Sequence, residues 1–226
     1  MVACETGGLL CAPSIQEANG AWVGEVGSGS GSAAAFTGGV FAGHNWQRGN
    51  FVYGLEGDVG ATPLSVTAGG SAATINSGLW NNSDTQPSVF TMTTTASIDW
   101  LASARVRAGV LVSPTMLVYG TVGVSATSLT VSNSYTDNFN DSNRVTGATE
   151  SSSGTAFRTG LIFGAGAEWV VAPRLKLRAE YLHTEFSALS TTGLVSLVPE
   201  VYDVNPITST ASLHADLFRL GVAYGF

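Results

Sequence analysis

The stretch 97–112, SIDWLASARVRAGVLV, sorts its side chains by twos. Ile98, Trp100, Ala102, Ala104, Val106, Ala108, Val110 and Val112 share one face, and Asp99, Leu101, Ser103, Arg105, Arg107 and Gly109 share the other. That period belongs to a β-strand, since a helix repeats every 3.6 residues. The run is also long. Strands in ordinary sheets average about 5–6 residues, whereas a tilted strand needs about 9–11 to cross a bilayer. The same alternation recurs, so that eight strands are expected near 20–28, 36–46, 51–61, 97–112, 116–127, 156–171, 174–186 and 213–226.

The connections alternate as well. QRGN, SPT and AP are tight turns after the second, fourth and sixth runs, while polar stretches at 62–96, 128–155 and 187–212 follow the third, fifth and seventh. The first connection, 29–35, is intermediate. Short turns on one rim and long loops on the other are the pattern of an outer-membrane barrel. The expected fold is therefore all-β: an eight-stranded antiparallel up-and-down transmembrane β-barrel over 20–226, with short periplasmic turns and long extracellular loops. Residues 1–19 are read as a periplasmic leader.

Each run has one lipid-compatible face. Phe51, Tyr53, Leu55 and Val59 oppose Glu56 and Asp58; Leu175, Leu177, Ala179 and Tyr181 oppose Lys176, Arg178 and Glu180. A soluble sandwich would bury the apolar face, and a barrel would turn it to lipid. Periodicity alone does not separate the two, but charge does. The proposed inner faces hold the acids Glu25, Glu56, Asp58, Asp99, Glu168 and Glu180, and the bases Arg105, Arg107, Arg158, Lys176, Arg178 and Arg219. They cancel. An enclosed lumen needs that balance, because an unpaired ion away from water costs several kcal/mol. The expected site is thus an ion-pair network filling the lumen.

The net charge of -7 then belongs to the loops and leader. Acidity without a cationic cluster argues against nucleic acid as a partner. Charged residues are 11% of the chain, against roughly 25% in ordinary soluble proteins. Trp46, Phe51 and Trp169 lie near the short-turn rim on apolar faces, as an aromatic girdle at the membrane interface would.

The stretch GHNWQRGNFVYGLEGD (43–58) resembles the small alphaproteobacterial outer-membrane β-barrels, the OmpA-like and opacity-type family. Asn45, Trp46, Gln47, Glu56, Gly57 and Asp58 match the family's second-strand signature; His44 stands where a Tyr is usual. The second hairpin, 100–125, and the ends LRAEYLHTEF and FRLGVAYGF are also similar. The resemblance implies a Gram-negative outer-membrane location. It also implies that the C-terminal pattern Phe218, Leu220, Val222, Tyr224 and Phe226 is read by the barrel-assembly machinery during insertion.

No cofactor, metal or catalytic site is expected. Glycine runs such as GEVGSGSGS lack the Gly-Lys-Ser/Thr ending of a phosphate loop. His183 and His214 approach the outer rim near Ser187, Glu185 and Asp216, which makes a rim-located lipid hydrolase conceivable. Eight strands enclose space that side chains fill, so a narrow or gated, porin-like channel is the leading alternative to a plugged barrel. The expected function is non-enzymatic: a structural and surface protein anchored in outer-membrane lipid, whose acidic loops contact a protein or surface partner in adhesion or assembly. Cys4 and Cys11 are left either paired or free.

Overall fold

The computed structural model describes residues 25–73, 89–137, 149–196 and 204–225. They contain β1 (Gly38–Arg48), β2 (Phe51–Ala73), β3 (Val89–Ser113), β4 (Met116–Asp137), β5 (Thr149–Ala172), β6 (Leu175–Phe186), β7 (Leu189–Ser196), β8 (Val204–Ala211) and β9 (His214–Tyr224). Seven strands form one antiparallel sheet in the order β1-β2-β3-β4-β5-β6-β9, and β7 and β8 pair as a separate hairpin. The tight turns fall at 49–50, 114–115 and 173–174. Gly49 takes φ +61°, which lets β1 reverse into β2 within two residues.

The sheet curls so that its far strands meet through the interior. Arg178 on β6 and Arg219 on β9 both reach carboxylates of β2. The apolar faces look outward and stay exposed, with Val106, Val122, Phe163, Phe218 at 82% and Leu220 at 90% among them. Among the described residues no stacked second sheet covers them. Outward apolar positions on β3 run from Val112 down to Ala102, which matches the roughly 25 Å apolar band of an outer-membrane barrel.

The strands continue far beyond that band. β3 has 25 residues, which at about 3.3 Å each exceeds what a bilayer requires. Most of 62–73 and 89–96, expected as loop, is therefore strand, as are 128–137 and 149–155. The stretch 187–212 holds the β7–β8 hairpin. On the outer wall of this upper part the register builds a grid. Ser65, Ser97, Thr130 and Thr155 share one row, and Thr67, Thr95, Ser132 and Ser153 the next. Gly69, Thr93, Ser134 and Ser151 follow, then Ser71, Thr91, Thr136 and Thr149.

An irregularity in β3 makes this possible. Register shifts lie between Ile98 and Ala102 against β4, and between Ala61 and Leu64 of β2. Below it, odd residues such as Leu101, Arg105 and Arg107 face inward; above it, even residues such as Phe90, Met92 and Ile98 do. Thr127, fully buried, donates its hydroxyl to the Trp100 carbonyl at 2.5 Å and so holds the irregular segment. This corrects the single-face reading of 97–112: Ile98 points in and Asp99 points out, because the β-bulge inverts the alternation.

The expected strand 20–28 is a second correction. Residues 20–24 lie outside the described residues, and 25–27 form a short helical turn. Gly27 and Gly29 lie against Met92 and Ala68 at the upper end of β2 and β3. Among the described residues nothing fills the place between β1 and β9. Over the described residues the sheet is an open roll of seven strands, and much of the expected eighth lies outside them.

Candidate functional site

The interior is layered, and its lower layer is ionic. Period-two spacing puts Glu56 and Asp58 on β2 inward, with Arg105 and Arg107 opposite on β3, Glu168 on β5, Arg178 and Glu180 on β6 and Arg219 on β9. Glu56 is the hub. It accepts from Arg105 at 2.5 Å, from Arg107 at 3.2 Å, and from both terminal nitrogens of Arg178 at 2.6 and 2.7 Å. Glu180 accepts from Arg105 at 3.0 Å and Arg178 at 2.5 Å. Arg107 bonds Glu168 at 2.6 Å.

Asp58 gathers Arg105, Arg219 and the Ser103 hydroxyl. Arg105 is 3% exposed. Charges so buried are retained only when paired, and the planar guanidinium serves two carboxylates at once. The Nε groups of Arg105 and Arg107 are buried with no acceptor among the described residues.

Tyr119 braces this layer. The Arg107 guanidinium lies 3.8 Å above its ring, and its hydroxyl donates to Glu180 at 3.1 Å. The ring fits because Gly166 faces it; a Cβ there would meet the Tyr119 hydroxyl at 2.5 Å. Val52 and Leu117 close the floor beneath.

Directly above, the interior turns apolar. Ile98, Leu101, Leu129, Ile162, Leu182 and Leu217 pack together with at most 5% exposure. The lumen is thus charged in its lower part and stoppered by hydrocarbon above, which the expectation of a wholly charged lumen missed. Leu101, Leu182 and Leu217 already stood on the inward faces in sequence, but alternating with glycines and charges they gave no separate signal.

The expected network residues divide. Glu56, Asp58, Arg105, Arg107, Glu168, Arg178, Glu180 and Arg219 come together. Lys176 is marginal, 3.9 Å from Glu168 and half exposed. Arg158 points inward but higher, and its Nη1 donates to the Phe157 carbonyl. Asp99 and Glu25 are not part of it. Asp99 is turned outward by the bulge, and Glu25 sits exposed in the helical turn.

An open cleft of about 510 Å³ separates β1 from β9 and reaches Asp58, Arg105, Arg178 and Glu180. Phe41, absent from the expected site, stands in it. The Arg178 guanidinium lies 4.7 Å from its ring, and the ring approaches Gly221 on the facing edge.

On the outer wall, Trp46 stacks on Tyr53 at 5.7 Å, and Phe51 and Trp169 are exposed close to the turns. Phe218, Leu220, Val222 and Tyr224 face outward on β9, and Phe226 lies outside the described residues. At the upper edge of the apolar band, His183 Nδ1 is 2.8 Å from Asp216 and Nε2 is 3.4 Å from Glu185. His214 stands 6.3 Å from His183, ring to ring. Both nitrogens of His183 therefore face carboxylates. Ser187 uses its backbone N–H on the Thr159 carbonyl. Among the described residues no His/Cys/Asp/Glu group is arranged to hold a metal ion.

Residues 12–226 match the family model described as the outer membrane protein beta-barrel domain. The chain is 29% identical over 153 residues to a 22 kDa outer membrane protein of Rhizobium leguminosarum bv. viciae. The match covers 68% of this chain and 54% of that protein, so the chain spans about half the length of this relative. It is also 29% identical over 196 residues to a 31 kDa outer-membrane immunogenic protein of Brucella melitensis biotype 1, covering 86% of this chain and 68% of the relative. The protein of the same description from Brucella suis biovar 1 matches to the same extent. No solved structure gives a significant match.

Proposed function

Given that the chain belongs to the outer membrane protein β-barrel family and resides in the bacterial outer membrane, we propose that it works as a non-enzymatic structural and surface protein. It is a lipid-anchored cylinder with a plugged interior, and its acidic loops contact a surface partner in adhesion or assembly. The observation that carries this reading is the filled interior. A network of eight charged side chains and an apolar stopper occupy the space a pore would need.

Closure is part of the proposal. Unpaired N–H and C=O groups along β1 and β9 would each cost several kcal/mol in hydrocarbon. A closed barrel of eight strands, as the sequence leads one to expect, would pair them. The period-two apolar pattern Phe218, Leu220, Val222, Tyr224 and Phe226 serves the barrel-assembly machinery as its insertion signal.

Planar-bilayer recording tests the plug. The wild-type protein is expected to show no unitary conductance. Steady conductance that increases in Arg107→Gln would instead establish the narrow channel, for which the cleft beside Arg105 and Arg178 is the supporting feature. Unchanged lipid A composition in cells carrying His183→Ala is expected; an altered composition would establish a rim hydrolase.

A further inference from the structure

Above the apolar band, the outer wall of β2 to β5 carries four rows of four outward positions, and fifteen of the sixteen are Ser or Thr. Gly69 is the exception. Alternation alone does not require this, because an outward strand face in water accepts Lys, Glu, Asn or Gln equally well. The hydroxyls are ordered across strands: Thr67 and Thr95 are 2.9 Å apart, Ser71 and Thr91 2.7 Å, Thr130 and Thr155 2.9 Å, and Ser132 and Ser153 3.0 Å. Rows repeat about every 7 Å along the strands and columns about every 4.8 Å across them. The result is a regular array of paired donors and acceptors, with no formal charge and no ring among its sixteen positions.

We propose that this grid is a docking surface for the neutral saccharide chains of the outer-leaflet lipids. The occupant follows from continuity. The band below meets the acyl chains of those lipids, so rows that rise about 20 Å above it stand among their saccharides. A hydroxyl can donate and accept, as each sugar hydroxyl does, so neighbouring hydroxyl pairs on the wall offer both roles at sugar-ring spacing. The chemistry excludes other occupants. Phosphate recognition calls for arginine or lysine, and the grid has neither. An apolar partner would strip water from the hydroxyls and leave those outside the cross-strand pairs without a partner. The bulge in β3 is what delivers the central column, since without it Thr91, Thr93, Thr95 and Ser97 would face the interior. The inference concerns the outer wall, and it holds whether or not the interior conducts.

The test uses the full-length protein folded in detergent, with folding verified by heat-modifiable migration. The probe is the uncharged polysaccharide chain released from outer-leaflet lipopolysaccharide, and binding is measured by titration calorimetry. Wild type is expected to bind. A variant combining Thr93→Val, Thr95→Val, Thr130→Val, Ser132→Ala and Ser134→Ala, which keeps strand shape and removes five hydroxyls, is expected to bind at least tenfold more weakly. Thr95→Val alone keeps the assay informative if the combined variant fails to fold, and is expected to weaken binding about threefold. Equal affinity in wild type and either folded variant overturns the proposal. So does binding of the phosphorylated core sugars in place of the neutral chain.

Discussion

Arg105 and Leu101 are four residues apart on β3 and face the same interior, yet they belong to opposite chemistries. Below, four carboxylates and four guanidinium groups interlock, each bonded to named partners. Above, aliphatic groups pack, with the Ser125–Thr184 hydroxyl pair and the bonded Thr127 hydroxyl among them. The border crosses every strand it meets, passing between Glu180 and Leu182 on β6 and between Arg219 and Leu217 on β9. The lower layer gains specificity, because each carboxylate fits one arrangement of arginines. The upper layer tolerates exchange of one aliphatic group for another, but it keeps water from the ions beneath. Under that stopper the charges bond one another, and their open side is the cleft between β1 and β9.

The largest effect should come from the hub. Glu56→Ala takes one carboxylate partner from each of three arginines and should lower stability by about 3–5 kcal/mol, read as a fall in the urea midpoint of gel mobility in lipid vesicles. A loss near zero would mean that water screens the lower layer, and the contrast between layers would dissolve. Leu101→Ala should cost about 2–4 kcal/mol through an unfilled cavity in the stopper; the same titration measures it. Combining the two should give more than the sum, since water admitted from above reaches arginines that have lost a partner.

Smaller is Thr184→Val. It removes one of two hydroxyls paired at 2.6 Å within the apolar layer, between Leu182 and Phe186, and leaves Ser125 unpartnered, for about 1–2 kcal/mol. Asp99→Asn should be least, within about 0.5 kcal/mol, because the side chain points out of the sheet. A large loss there would place Asp99 back among the lumen ions and remove the bulge's inversion.

Much of the lower layer was legible in the sequence. Period-two runs placed Glu56, Asp58, Arg105, Arg107, Glu168, Arg178, Glu180 and Arg219 on inward faces, and opposite charges on neighbouring strands then had to meet. Asp99 misled for a physical reason. Ile98, Trp100 and Ala102 continue the apolar alternation through the bulge, so the pattern carries no mark of the residue at which the facing inverts. Glu25 misled because a glycine-rich stretch has little side-chain pattern to fix its register. Upper strand segments such as 89–96 read as polar connection because threonine occupies both faces there. Their pairing follows from β-branched propensity and from inward Phe90 and Met92, not from a clean hydrophobic alternation.

The inversion at 99–101 also separates two histories. Below it, a change of one residue would turn arginines toward lipid. Above it, the irregular segment absorbs the phase of whatever follows. The outer part of the molecule can be lengthened, shortened or re-dressed, as a sleeve is on a fixed cuff, while the part held by the membrane keeps its form.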